Sequence, residues 1–266
     1  MLLLAAVLAA CASNGQRIDR LAAAGNLSRE RISGAQFEHV VYANAAALNG
    51  AMPQRLYLYI DGDGRPWGDG GRRPAADPTT SNPLALRLLL MTPAPAAYLS
   101  RPCYQDMVNP RCQPALWTSA RYSEEVVTTM TTAIANWLGS HGYQQVVLIG
   151  YSGGGTLAVL IGERLQSTAA VITVAGNLDI EEWARHHDYL PLDQSLNPTR
   201  STGTHPWPEL HLMGEDDDVV PPQTTAAYFA RFTAAQQRSF ANYNHTCCWV
   251  ENWSTTFASI EASLAL

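Results

Sequence analysis

The run Gln145-Val-Val-Leu-Ile-Gly150-Tyr151-Ser152-Gly153-Gly154-Gly155-Thr156-Leu157 constrains the fold of this chain more than any other segment. Its first half is a short apolar run without polar alternation, which fits a strand buried on both faces. The glycines around Ser152 permit a turn too tight for side chains, and Leu157, Val159, Leu160 and Ile161 then carry a helix. A doubly buried strand that turns directly into a helix belongs to a mostly parallel sheet with crossover helices. The turn could also cradle a phosphate at the helix N-terminus. Phosphate loops need a fuller glycine pattern and usually a lysine, and all 17 basic residues here are arginine. The same absence removes Schiff-base and Ser-Lys chemistry, so a nucleophile in this chain must be activated by His or a carboxylate.

The 266 residues, 47% hydrophobic and 15% charged, suffice for one sizeable core and do not require two. A net charge of −6 with no block of like charge suggests neither a nucleic-acid surface nor a disordered acidic tail. Alternating short apolar and longer amphipathic runs predict strands at Phe37–Ala43, Gln54–Ile60, Leu86–Met91, Gln145–Gly150, Ala170–Ala175, Leu210–Met213 and Arg238–Tyr243. Helices are predicted at Ser123–Leu138, Gly154–Gln166, Gln223–Ala234 and Trp253–Ala265. Residues 12–36, polar and Ala-rich, read as a tether and domain entrance, with the domain proper over 37–266. Three long stretches, 61–83, 92–118 and 177–208, follow predicted strand ends, where α/β sheets bind ligands.

Gly150-Tyr151-Ser152-Gly153-Gly154 matches G-x-S-x-G, and between a strand and a helix it resembles the nucleophile elbow of the α/β-hydrolase family. The resemblance covers roughly residues 37–265. It implies an α/β-hydrolase fold, with a mostly parallel central sheet of about seven to eight strands flanked by helices. It also implies hydrolysis of an ester or related acyl bond without metal or organic cofactor, on a small-molecule or lipid-like acyl substrate. In the family order the nucleophile is followed by an acid and then a His. Gly214-Glu-Asp-Asp217-Asp-Val-Val-Pro221 resembles the family's turn after a strand and places the acid on Asp217, with Asp216 and Asp218 one register away. His245 is the His that follows this turn, in a loop after the last predicted strand. In such a triad His245 takes the Ser152 proton and returns it to the leaving group, while Asp217 fixes the tautomer and stabilises the imidazolium.

Two backbone N–H groups should bind the oxyanion, one from Gly153 and one from the loop after the third strand. Asp61-Gly62-Asp63-Gly64 stands where the family has H-G-x-G, which makes Asp63 the second donor. The same residues resemble the start of a calcium loop, but Arg65 replaces a required oxygen ligand and no Glu closes the motif. His186-His187-Asp188 reads poorly as a metal site, because adjacent helix residues diverge in direction. With His39, His141, His205 and His211, these histidines read as surface or packing residues.

Met1 to Cys11, MLLLAAVLAAC, is too short to span a bilayer and fits a signal-peptide apolar region, although no basic residue precedes Arg17. Leu8-Ala9-Ala10-Cys11 resembles a bacterial lipoprotein signal, in which Cys11 is lipidated and anchors the chain to the cell envelope; Ala12 after it points to the outer membrane of a Gram-negative source. An ordinary secretory signal cut at Ala10 is the alternative. Export favours disulfides, and the remaining four cysteines fall in two close pairs. Cys103 and Cys112 are expected to close a Pro-rich polar loop. For Cys247 and Cys248 a vicinal disulfide, two free thiols and cross-pairing remain open. Arg101-Pro-Cys103 and His245-Thr-Cys-Cys-Trp249 suggest a bacterial lipoprotein subfamily of such hydrolases. An acyltransferase would use the same triad, and a catalytically silent envelope lipoprotein could keep the scaffold to bind a ligand or partner.

Overall fold

The apolar run at 145–149 does form a strand, β7 (Gln145–Tyr151), buried at every position after its first. Such a strand needs neighbours on both edges and helices on both faces. The computed structural model of the protein describes residues 12–49, 55–105, 109–203 and 205–264, so the expected leader and Cys11 lie outside the described residues.

Around β7 are β1 (Ser28–Ser33), β2 (Glu38–Ala43), β3 (Arg55–Ile60), β6 (Ala96–Leu99), β8 (Thr168–Val174), β9 (Glu209–Gly214) and β10 (Gln236–Phe240). They form one eight-stranded sheet in the order β1-β2-β6-β3-β7-β8-β9-β10. From β6 to β10 all neighbours are parallel, and β1 and β2 close the other edge antiparallel. A short ribbon, β4 (Trp67–Gly68) with β5 (Arg73–Pro74), decorates the loop after β3.

Helices α4 (Glu124–His141) and α5 (Gly153–Gly162) cover one face of the sheet, and α1 (Asn14–Ala24), α3 (Leu84–Leu90) and α8 (Trp253–Leu264) the other. Short helices α2 (Ala45–Asn49), α6 (Ile180–His186) and α7 (Ala226–Arg231) fill the connections. The Ser123 hydroxyl caps α4 by accepting from the Val126 N–H, and Gly142 at φ 75° ends it in the left-handed region that glycine tolerates.

Two expectations are corrected. Residues 86–91 are not a strand: Leu84–Leu90 is helical, with Leu84, Ala85, Leu86, Leu88 and Leu89 all buried, and the strand at that position in the sheet is the later Ala96–Leu99. A run this uniformly apolar satisfies the helical and the strand period equally, so the pattern could not choose. The stretch 12–36 is not a mere tether. It forms α1, whose Ile18 and Ala22 are buried, and the edge strand β1, which pairs with β2 over its full length.

The Cys103 and Cys112 sulfurs are at disulfide distance, with Cα atoms 5.6 Å apart. Those of Cys247 and Cys248 are joined across a cis peptide bond.

At the end of the sheet remote from Ser152, Glu209 opens β9 and is buried among His205, His211 and Tyr228. Its carboxylate accepts from His211 Nε2 at 3.0 Å and from the Tyr228 hydroxyl at 2.7 Å, and it also pairs with His205 Nδ1. Burial opposes charge on both partners, but the mutual pairing outweighs it: with Glu163 on its other nitrogen, His205 is raised to about 9, and Glu209 is held at about 2. The His205 contribution to stability is complete below its ordinary value near 6.5 and is lost as pH rises through 9. The Glu209 contribution is complete above 4.5 and is lost as pH falls through 2. Urea unfolding of the wild type and of His205→Gln is therefore expected to differ most between pH 4.5 and 6.5 and to converge as pH approaches 9. A constant difference across that range would show that the pair is not charged.

Candidate active site

Ser152 sits at the carboxyl end of β7 with φ 54° and ψ −124°, between the strand and the first turn of α5. A positive φ at a non-glycine residue is strained, and here the surroundings impose it. A Cβ on Gly150 would lie 2.1 Å from the Gly154 carbonyl oxygen, so strand and helix can approach this closely only with glycine at that position. The Ser152 side chain makes no cap bond to the helix and lies beside Gly62, where β7 ends.

The loop after β9 carries Asp217 to the same level. Its Oδ1 accepts from the Val219 and Val220 N–H groups at 2.9 and 2.8 Å, and the residue is buried, whereas Asp216 and Asp218 are exposed. Of the three registers, only Asp217 faces His245. The loop after β10 returns His245 to it: Nδ1 lies 2.9 Å from Asp217 Oδ2, and Nε2 lies 3.1 Å from Ser152 Oγ. An ionised carboxylate only accepts, so Nδ1 carries the proton and Nε2 is free to accept from the serine hydroxyl. The two loops are laced together, since the Asp216 N–H donates to the Tyr243 carbonyl and Trp249 Nε1 donates to the Asn244 carbonyl. Tyr151, beside Ser152, sets its ring at a tilt against that of His245 and donates its hydroxyl to the His245 carbonyl at 3.2 Å. Ser152, Asp217 and His245 are thus brought together from three separate loops.

The loop after β3 approaches from the other side. A Cβ built on Gly62 would lie 3.1 Å from Ser152 Cβ, and one built on Gly153 would meet Asp63 Oδ1 at 2.2 Å, so the loop is pressed against the elbow. The Gly62 N–H is engaged by Asp61 Oδ1 at 3.1 Å. The N–H groups of Asp63 and Gly153 have no hydrogen-bond partner among the described residues, which leaves both available to a ligand oxygen.

The Asp63 side chain has a separate part in this arrangement. Its carboxylate receives Arg101 Nη1 at 2.6 Å, Arg121 Nη1 at 2.8 Å and the Tyr122 hydroxyl at 2.7 Å, and the Tyr104 hydroxyl donates to its carbonyl. Burial opposes ionisation, but Arg121 and Arg101 overcome it and hold the carboxyl at about 2. Among the described residues, neighbouring Asp61 has no cation in hydrogen-bond contact and its Oδ2 has no hydrogen-bond partner. Burial pushes its carboxyl up to about 7 against the Gly62 and Ala85 N–H groups. The sequence reading missed Arg101, Arg121, Tyr122 and Tyr151 in these roles. An arginine pair that must neutralise one buried aspartate leaves no local spacing to read, since it is assembled across 38 and 58 positions.

Removing the Asp63 charge strands two buried guanidinium groups. Asp63→Asn is expected to destabilise the fold by about 3 kcal/mol, the lower end for breaking a buried pair, with a lowered midpoint in chemical denaturation. A change within about 0.5 kcal/mol would mean that solvent supports the arginines instead.

The sheet order, the elbow and the two loops define an α/β-hydrolase fold. Solved structures bear this out. The chain superposes on the Pyrococcus furiosus esterase Pf2001 with a TM-score of 0.64 at 10% identity, over 91% of this chain and 93% of that one. Est1E from Butyrivibrio proteoclasticus gives 0.61 at 13% identity, over 89% and 98%. A membrane phospholipase A, a bacterial virulence factor, gives 0.63 at 15% identity, over 94% and 90%. No protein-family model and no curated protein matches the chain by sequence.

Proposed function

We propose that this protein is a serine hydrolase that cleaves an ester or related acyl bond. The observation that carries the reading is the continuous chain from Ser152 Oγ through both nitrogens of His245 to Asp217, at 3.1 and 2.9 Å, on a strained elbow. In this reaction His245 Nε2 accepts the hydroxyl proton as Ser152 Oγ bonds to the carbonyl carbon, and the carbonyl π electrons move onto its oxygen. The Asp63 and Gly153 N–H groups stabilise that oxyanion. Collapse of the tetrahedral intermediate expels the alcohol, which takes the proton from His245 and leaves an acyl-Ser152. Water then repeats the sequence and releases the acid. The esterase and phospholipase names among the structural neighbours support an oxygen-ester substrate, and the three residues supply every proton transfer without a metal or cofactor.

A fluorophosphonate probe tests this directly. The wild type is expected to be labelled stoichiometrically, with the adduct on the peptide bearing Ser152, and Ser152→Ala to remain unlabelled. An unlabelled wild type, or equal labelling of the variant, would remove the serine-hydrolase reading and leave the silent binding scaffold.

A further inference from the structure

Two aspartates flank Gly62 in the loop that presses on Ser152, and their surroundings are opposite. Asp63 is ionised between Arg101 and Arg121, whereas Asp61 has no such cation although it is the more deeply buried of the two. Its Oδ1 accepts from the Gly62 N–H at 3.1 Å and, at 3.4 Å, from the Ala85 N–H in the first turn of α3. Asp61 also lines a cleft of about 10 Å³ with Ile18, Thr79, Tyr98, Arg101 and Gln105, room for no more than one water. Gln105 donates its amide to the Tyr98 hydroxyl. Asp61 Oδ2 and Gln105 Oε1 are then two buried acceptors from one cleft, neither with a hydrogen-bond partner among the described residues.

The groups around Asp61 offer its charge little. Arg101 Nε bonds to neither oxygen, and the terminal nitrogens of that arginine are committed to Asp63 Oδ1 and the Arg121 carbonyl. The other titratable groups facing Asp61 among the described residues are the hydroxyls of Tyr98, Tyr104 and Tyr151, which burial keeps neutral through the physiological range. From α1 and α3 come only the apolar Ile18 and the Ala85 N–H. An ionised Asp61 would rest a buried charge on two N–H groups and leave two oxygens that only accept. A proton on Oδ2 resolves both, since the acid then donates where Gln105 Oε1 accepts. Burial holds that proton on Asp61 up to about 7, against the Gly62 and Ala85 N–H groups and the Arg101 charge.

We propose that Asp61 is a positioning residue of the hydrolase site and works as the neutral acid: it donates Oδ2–H to Gln105 Oε1, holds the Gly62 N–H through Oδ1, and so sets the Asp63 N–H toward the oxyanion. The assignment rests on the serine-hydrolase reading above. A Cβ on Gly62 would lie 3.1 Å from that of Ser152, so the loop cannot shift without moving the Asp63 N–H relative to the reacting oxygen. Charge matters as much as shape. The reaction places a negative charge beside the Asp63 and Gly153 N–H groups, where the Asp63 carboxylate is already balanced by its arginines. Losing the Asp61 proton adds a second carboxylate charge to this loop with no cation in contact. Activity therefore falls as pH rises, opposite in sign to the loss caused by protonating His245.

The test is kcat for a soluble ester against pH in the wild type, Asp61→Asn and Asp61→Ala. The wild type is expected to lose about tenfold as pH rises through about 7, less than the roughly 10²–10³ for removing an oxyanion donor because the donor is displaced and not deleted. Below that pH, Asp61→Ala should lose about tenfold or more, and Asp61→Asn, whose NH₂ donates where Oδ2–H did, should restore the rate to within about threefold and abolish the alkaline fall. The proton is also read without turnover: difference infrared spectra should show a protonated-carboxyl band that disappears above pH 7 and is missing from Asp61→Asn, whatever becomes of the hydrolase reading. Fluorophosphonate labelling of each variant reports separately that Ser152 and His245 remain in place. Asp61→Asn as impaired as Asp61→Ala, Asp61→Ala as active as the wild type, an alkaline fall that persists in Asp61→Asn, or no carboxyl band traceable to Asp61 would each overturn the proposal.

Discussion

Ser152→Ala is expected to lower kcat for ester hydrolysis by about 10⁴–10⁶-fold while leaving the unfolding midpoint nearly unchanged. The substitution removes only Oγ. The backbone at φ 54° is imposed by the close approach of β7 and α5 at Gly150 and Gly154, and alanine adopts it about as readily as serine. The residual rate should come from binding and from the Asp63 and Gly153 N–H groups, which remain in place. His245→Ala should cost a similar factor, and the double variant little more than either single one, because the two act as one unit. Additive losses would mean that His245 acts independently of Ser152 and that the 3.1 Å contact is not the reactive one.

Asp217→Asn is expected to cost about 10⁴-fold in kcat, with Asp216→Asn and Asp218→Asn each within about threefold of wild type. Asp217 Oδ1 is already committed to two backbone N–H groups. An asparagine would keep its carbonyl oxygen there and turn its amide NH₂ toward His245. The amide donates where the carboxylate accepted, so the imidazole must place its proton on Nε2, the nitrogen that should accept from Ser152. Asp216 and Asp218 point to solvent, where an isosteric amide changes only a screened charge. The measurement is kcat for a soluble ester for all three variants, and a ranking led by Asp216 or Asp218 would displace Asp217 as the acid.

What could be read along the chain was what local chemistry dictates. The β7–turn–α5 unit, the turn around Asp217 and the loop bearing His245 each follow a strand, and each is recognisable from a handful of adjacent residues. Elements were misread where adjacent residues carry two meanings. Leu84–Leu90 is apolar throughout, and its helical state is decided by packing on the sheet face opposite α4 and α5. Residues 14–33 look polar because α1 buries only a narrow stripe and β1 is an exposed edge strand.

The sequence by itself determined the order of Ser152, Asp217 and His245 along the chain and the class of fold that can hold them, because the sheet period and the glycine turn act over a few residues. Only the tertiary structure decided which of three consecutive aspartates faces His245, and which side chains hold the loop after β3. Those outcomes depend on burial. Asp217 is selected because its neighbours remain in water, and Asp63 is held by Arg101 and Arg121 because two guanidinium groups removed from water must find a carboxylate wherever the chain provides one.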